Sequence, residues 1–176
     1  MLTPELLRLL FQYNLWADRR TLDACASLTN EQFTRALGSS FGSVRDTLAH
    51  LYGAESIWNE RIQGRSPSGL PSVSVYPDLA SVRAKLEEMD SYYIDYVAKL
   101  TQQDLDRVIR YRSMTGDELA NPLWQSLHQL TNHGTYHRGQ VVTMLRQLGA
   151  KPASTDLIGY YREQAARASA AEKPRI

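Results

Sequence analysis

The chain has 176 residues, of which 43% are hydrophobic and 22% are charged, a balance typical of one globular domain with a sizeable core. The formal net charge is +1 and the basic residues are spread along the chain, so we expect no nucleic-acid partner. The single cysteine, Cys25, fits a reducing cytoplasm, and neither a leader segment nor an apolar run of roughly 20 residues indicates secretion or membrane insertion.

The first half of the chain predicts two long amphipathic helices. Thr3 and Pro4 are a capping residue followed by proline at the first helical position, which indicates a helix start. The apolar face expected for this helix is Leu6, Leu10, Tyr13, Asn14, Ala17, Thr21 and Ala24, widened by Leu7, Phe11 and Leu22. The second helix is expected over residues 43–63, with Gly64 ending it. Residues 65–72 are rich in Ser, Pro and Gly, which predicts a loop.

The second half of the chain predicts two more long helices with a hairpin between them. The third helix is expected over residues 78–100. Apolar and polar residues partly alternate over residues 107–112, and residues 115–117 form a turn sequence, so a short β-hairpin is expected there. Asn121 followed by Pro122 predicts the start of the fourth helix, which we expect to end at Leu148.

These elements predict an all-α fold, a four-helix bundle with a long crossover loop between its second and third helices. A short fifth helix is expected over residues 156–168. We expect one bundle domain over residues 1–162, and a loosely ordered tail over residues 163–176, because residues 169–176 carry no apolar stripe.

The most informative feature is a pair of histidines, His133 and His137, in the predicted fourth helix. Their four-residue spacing places both imidazoles on one helix face, within the apolar stripe of that helix. Two neutral imidazoles on one face form half of a site for a divalent transition metal. Two hydrogen-bonded core histidines are the equally weighted alternative.

A third histidine, His50, lies in the second helix among small or apolar neighbours, Thr47, Ala54 and Ile57, which leave space around an imidazole. Ligand sites in bundles are built from side chains on facing helices. Three histidines are the protein ligands of many catalytic metal sites, which keep a position open for water. The sequence does not establish that the second and fourth helices face each other at this level.

Other candidate ligands and motifs are excluded by position. His128 lies roughly 140° and 180° around the helix from His133 and His137, so it cannot share their metal. Glu55 is five residues from His50 and points elsewhere. Gly134 stands where a zinc-protease helix carries its glutamate base, and the glutamate pattern of di-iron bundles is missing.

Three blocks of the sequence resemble the DinB/YfiT-like superfamily of bacterial four-helix-bundle metalloproteins. These blocks are residues 13–17, residues 43–50 with Trp58 and Gly64, and residues 132–140 continuing to 148–149 and 156–157. The resemblance spans about residues 5–162 and implies that His50, His133 and His137 bind one divalent metal, zinc or nickel. It also implies a small-molecule substrate, including low-molecular-weight thiols, and a homodimer.

Several polar residues are candidates for orienting the imidazoles or bordering a pocket. They are Tyr13, Asn14, Asn132, Tyr136, Arg138 and Gln140. For Tyr136 and Arg138 the alternative is packing between helices, or an ion pair of Arg138 with a carboxylate.

Three functions are compatible with these patterns. The first is a metal-dependent thiol S-transferase or hydrolase that uses a thiolate or water at the open metal position. The second is a non-catalytic metal-binding protein of the stress- or damage-inducible kind that the resemblance implies. The third is a plain structural bundle with core histidines. The sequence identifies no catalytic residue beyond the metal site.

Overall fold

The computed structural model describes residues 2–171, which are mostly helical with one small β-sheet. Four long helices form the bundle: α1 (Pro4–Cys25), α3 (Val44–Ile62), α4 (Leu79–Ala98) and α6 (Leu123–Gln147). Three shorter helices, α2 (Asn30–Thr34), α5 (Gln102–Asp106) and α7 (Leu157–Ala171), and a 3-10 turn at Val73–Val75 complete the helical part. The predicted four-helix bundle is confirmed.

The bundle helices are arranged in a ring in which α1 packs on α4 and α6, and α3 packs on the same two helices. Because α3 and α6 are neighbours, His50 on one helix can meet His133 and His137 on the other. This is the relation between helices that the sequence left open.

The helix starts follow the capping residues of the sequence. The Thr3 hydroxyl accepts a hydrogen bond from the Leu6 amide at the start of α1, and Ser43 does the same for Asp46 in α3. Asp78 and Ser81 form a reciprocal capping box at the start of α4.

The start of α6 differs from the prediction. Asn121 and Pro122 belong to a β-strand, and Pro122 is the residue that precedes the helix, with no side-chain capping bond. The Asn121 amide instead donates to the Ser126 hydroxyl at 2.7 Å.

The apolar face predicted for α1 contains seven of the nine residues that are buried, but one edge of it is misplaced. Leu6 is 44% exposed, whereas its neighbour Leu7 is fully buried. The buried face consists of Leu7, Phe11, Tyr13, Asn14, Ala17, Asp18, Thr21, Leu22 and Cys25. The prediction omitted the buried Asp18, because a search for apolar periodicity passes over a carboxylate.

The predicted hairpin is present. Strands β1 (Val108–Arg112) and β2 (Glu118–Pro122) pair antiparallel, and Gly116 in the turn has a φ of 95°, a conformation that favours glycine. The Leu123 amide donates to the Arg107 carbonyl at 2.9 Å, which ties the hairpin to the start of α6.

The C-terminal helix is longer than predicted. Helix α7 continues through Ala171, so residues 163–171, expected in a loose tail, are helical. The rest of that predicted tail lies outside the described residues. Within residues 2–171, none of the helices combines the length and apolar character needed to cross a membrane.

Candidate metal centre

The structure brings the three histidines together between α3 and α6. The Nε2 atom of His133 lies 3.2 Å from Nε2 of His50 and 2.9 Å from Nε2 of His137. One nitrogen from each ring falls within 4.8 Å of the others, and within the described residues no carboxylate joins this group. Glu55 and His128 lie outside it, in agreement with their exclusion by sequence position.

Hydrogen bonds among the three imidazoles cannot satisfy all of their converging Nε2 atoms. The Nδ1 atom of His137 contacts Oε1 of Gln140 at 2.8 Å, so Nδ1 carries the proton and Nε2 of His137 presents a lone pair. The central Nε2 of His133 can donate its one proton to His137 or accept one from His50, but it cannot do both. A cation at the point of convergence would satisfy all three nitrogens.

The distances also suit a metal. Two ligand nitrogens about 2.0–2.1 Å from a tetrahedral zinc ion are about 3.3 Å apart, close to the 3.2 Å and 2.9 Å separations of the imidazole nitrogens. The residues present therefore fit a divalent ion held by three imidazoles. Nδ1 of His50 and Nδ1 of His133 have no hydrogen-bond partner among residues 2–171.

The site keeps its imidazoles neutral. Burial, with the neighbouring His137, lowers the pKa of His50 to about 4, and burial with both neighbouring histidines does the same for His133. Burial also lowers the pKa of His137, although Gln140 opposes this shift. Neutral rings at physiological pH leave their lone pairs free for a metal.

Two aromatic rings flank the imidazoles. Phe41 stacks on His50 with ring centroids 3.9 Å apart and meets His137 edge-on at 5.3 Å. Tyr136, 64% exposed, places its ring against His137 at 5.0 Å. Phe41 covers one face of the His50 ring, and Tyr136 stands at the solvent side. Phe41 was not identified from the sequence. The signal it offered was an isolated aromatic residue just before Ser43, the residue that caps α3.

The other candidate residues lie either beside a separate cavity or in a buried polar network. Asn132 is exposed and Tyr13 is buried, and both border a cavity of about 650 Å³ on a different face of α6 from His133 and His137. His128 also borders this cavity, and the Tyr13 hydroxyl donates to the Thr155 carbonyl at 2.8 Å. Neither Tyr13 nor Asn132 orients an imidazole.

Arg138 and Asn14 belong to a buried polar network beside the site. Nη1 of Arg138 donates to Oδ1 of Asn14 at 2.7 Å and to Oδ1 of Asp18 at 3.0 Å. Arg138 is 1% exposed and Asp18 is 2% exposed. The alternative weighed for Arg138, an ion pair with a carboxylate, is therefore what the structure contains.

Two more carboxyl groups, Glu55 and Asp90, are buried near this ion pair. Burial, reinforced by Asp18, raises the pKa of Asp90 to about 8, and burial raises the pKa of Glu55 well above its usual value. No sequence pattern indicates this cluster, because its members lie on four different helices, α1, α3, α4 and α6.

Fold and site together define a four-helix-bundle protein with a three-histidine cluster between two of its helices. The DinB family model matches residues 1–172, and the chain belongs to the DinB family.

Sequence relatives support this assignment along most of the chain. Protein DinB of Bacillus subtilis strain 168 is 27% identical over 152 residues, 84% of this chain and 88% of that protein. The protein YizA of the same organism is 25% identical over 154 residues, which are 85% of this chain and 92% of YizA.

Solved structures share the fold. A DinB-like protein from Bacillus cereus ATCC 10987 aligns with a TM-score of 0.62 at 17% identity, over 81% of this chain and 91% of that one. YfiT from Bacillus subtilis aligns with a TM-score of 0.65 at 15% identity, over 85% and 91% of the two chains. YfiT is described as a probable metal-dependent hydrolase with an unusual four-helix bundle topology.

Proposed function

We propose that this protein is a metal-dependent enzyme that hydrolyses a small molecule at a divalent ion held by His50, His133 and His137. The convergence of three Nε2 atoms, at separations of 3.2 Å and 2.9 Å, carries the proposal. The description of YfiT as a probable metal-dependent hydrolase supports the same chemistry. Three protein ligands leave a coordination position for water or substrate.

Residues around the histidines would orient the metal ligands and contact the substrate. A divalent ion supplies Lewis acidity and activates water near neutral pH. Gln140 holds the His137 ring through Nδ1, and the Phe41 ring fixes the plane of His50 and excludes water from one of its faces. Tyr136 stands where an arriving substrate would make contact.

Metal content tests the ion site first. We expect untagged protein to contain about one zinc or nickel ion per chain, and His133→Ala protein to contain far less, because three-ligand sites tolerate the loss of an imidazole poorly. Elemental analysis measures both. Equal metal content in the two proteins would contradict the assignment of these histidines.

Gln140→Leu tests the orientation of His137, with Asn132→Ala as its matched control. Loss of a group that orients a ligand weakens metal binding by about 10–100-fold, and we expect a change in that range for Gln140→Leu. Asn132 is exposed on the same helix and borders the cavity on its other face, so its substitution should leave metal affinity unchanged. Metal titration against a competing chelator measures both, and equal losses would refute the role of Gln140.

Turnover decides between hydrolysis and its alternatives. Metal-loaded protein would be assayed with esters, amides and lactones, and then with electrophiles in the presence of low-molecular-weight thiols. Hydrolysis without a thiol supports the proposal, and turnover only with a thiol would identify an S-transferase. Metal-dependent thermal stability with no turnover in either panel would identify a non-catalytic metal-binding protein. The homodimer stays a prediction that sedimentation would test.

A further inference from the structure

A second cavity, of about 360 Å³, lies at the hairpin end of the bundle, between the end of α3 and strand β1. Three of its lining residues are arginines, Arg61, Arg107 and Arg110, and none of its lining residues is acidic. The whole chain carries 20 basic and 19 acidic residues, so this concentration of positive charge is local.

Arg61 is a buried cation without a carboxylate partner in the part of the chain that the structure describes. It is 9% exposed, and its guanidinium lies beside the edge-on pair of rings formed by Trp58 and Tyr111, at 4.9 Å and 4.7 Å from their centroids. Its Nη2 donates to the Arg112 carbonyl at 3.4 Å, whereas its Nε has no hydrogen-bond partner among residues 2–171. The rings hold the guanidinium in place, but a buried donor without a partner is costly.

The other two arginines leave positive charge available. Arg110 is exposed, and its side chain makes neither a hydrogen bond nor an ion pair within residues 2–171, although its backbone pairs with Ala120 in the hairpin. Arg107 interacts with Tyr96 and with the Asp104 carboxylate, which offsets part of its charge. The C-terminal end of α3 contributes about half a negative charge, which the guanidinium groups of Arg61 and Arg110 exceed.

We propose that this cavity binds the phosphoryl group of a small molecule. Guanidinium groups pair with phosphate through parallel N–H···O bonds, and several of them around one cavity match an anion with several acceptor oxygens. An adjoining cavity of about 600 Å³ shares Gly64 and Arg110 with the first and continues along Tyr111 and Leu119. A cavity of this volume is typical of small-molecule binding sites, and it would hold the rest of a phosphate ester.

The proposed site is separate from the histidine cluster. His50 and Arg61 are 11 positions apart on α3, which corresponds to roughly 16 Å along the helix axis. A phosphoryl ligand at Arg61 therefore does not contact the three imidazoles directly, and each site can be removed by substitution without the other.

Calorimetric titration of the full-length, metal-loaded protein tests the proposal with phenyl phosphate, inorganic phosphate, acetate and a short oligonucleotide at constant ionic strength. We expect Arg110→Gln to weaken phenyl phosphate binding about tenfold, the loss typical of a charged hydrogen bond. Arg61→Lys should weaken it similarly, because lysine keeps the charge but lacks the planar fork. Arg162→Gln, which removes an exposed charge on α7, is the matched control and should change nothing.

The same titration of His133→Ala protein separates this site from the metal centre, since an ion at the histidines also attracts anions. Retained phenyl phosphate binding in that variant supports the proposal, and lost binding would overturn it. Tighter binding of phenyl phosphate than of inorganic phosphate would identify an ester as the ligand, and equal binding would identify the free ion. No binding, equal binding of acetate, equal weakening by Arg162→Gln, or tighter binding of a short oligonucleotide would each refute it.

Discussion

Two consecutive residues of α6, His137 and Arg138, belong to regions of opposite character. His137 joins a cluster of neutral imidazoles in which His50 and His133 are partly open to solvent. Arg138 faces the interior, where it is 1% exposed and forms an ion pair with Asp18. One helix turn thus supplies both a site that can receive a ligand and a closed polar network.

The difference lies in how each region satisfies its polar atoms. In the network, Asn14, Asp18 and Thr135 accept hydrogen bonds from Arg138. Burial opposes the charge of Arg138, but Asp18 and Tyr13 hold its pKa above the usual value. In the histidine cluster, converging lone pairs have no comparable donors. Both terminal nitrogens of Arg138 are thus satisfied, although its Nε has no hydrogen-bond partner among residues 2–171. A region whose opposite charges are paired stabilises the fold, whereas converging lone pairs are suited to binding a cation.

The comparison predicts that the largest loss of stability comes from the closed network. Arg138→Met leaves the Asp18 carboxylate buried without its partner, and breaking a buried ion pair in this way costs about 3–5 kcal/mol. Urea unfolding of metal-free protein measures the loss. The double variant Asp18→Leu/Arg138→Met should recover much of it, because neither charge is then left alone. A double variant as unstable as the sum of the single ones would contradict an ion pair.

Gly134 and Gly139 allow a sharper test on the same helix. A Cβ added at Gly134 would lie 2.6 Å from Oδ1 of Asn14 and 2.7 Å from Nη1 of Arg138, whereas one at Gly139 would meet no described atom within 4 Å. Gly134→Ala should therefore destabilise the protein by about 1–3 kcal/mol through overpacking.

Gly139→Ala is the matched control for this prediction. It should stabilise the protein by about 0.5–1 kcal/mol, because alanine is the better helix former. Urea unfolding compares the two variants. A stabilising Gly134→Ala would show that the network yields to an added methyl group, and would remove the reason for glycine at that position.

The helices and the His133–His137 pair were predictable because they rest on periodic patterns, whereas the place of His50 beside them depends on a contact across 83 positions. Capping residues at Thr3, Ser43 and Asp78 begin helices in the structure as the sequence indicates. The i, i+4 spacing of His133 and His137 predicts that they share a face, and their Nε2 atoms are 2.9 Å apart. Local geometry determines the helix starts and the spacing of this pair, so neither requires knowledge of distant contacts.

The buried network and Phe41 were not predictable, because long-range contacts define them. Asp18 pairs with a residue 120 positions away, and a single sequence gives no record of that contact. Phe41 lies outside every helix, so no periodicity relates it to His50. Gly134 was noted for the missing glutamate, and only the structure shows that its lack of a side chain makes room for Asn14 and Arg138.

The smallest expected effect is on the pH dependence of stability, where the two regions act in opposite directions. The pKa values of His50 and His133 are about 4 in the folded protein, below the ordinary value of 6.5. Between these values the unfolded chain binds more protons, so the cluster reduces stability as the pH falls. The pKa of Asp90 is about 8, above its ordinary 3.8. Over that range the folded chain binds more protons, so Asp90 reduces stability as the pH rises.

Substitutions should separate these two contributions in metal-free protein. His133→Asn should weaken the loss of stability as the pH falls from about 6.5 to 4. Asp90→Asn should weaken the loss as the pH rises toward about 8, and this is measured above pH 6.5, where the histidines no longer contribute. Urea unfolding across this range measures both slopes. The histidine effect is small because partly exposed imidazoles are screened by solvent. If both variants changed the slope of unfolding free energy in the same pH range, the two regions would titrate as one coupled system. That result would contradict the separation of the histidine cluster from the Arg138 network.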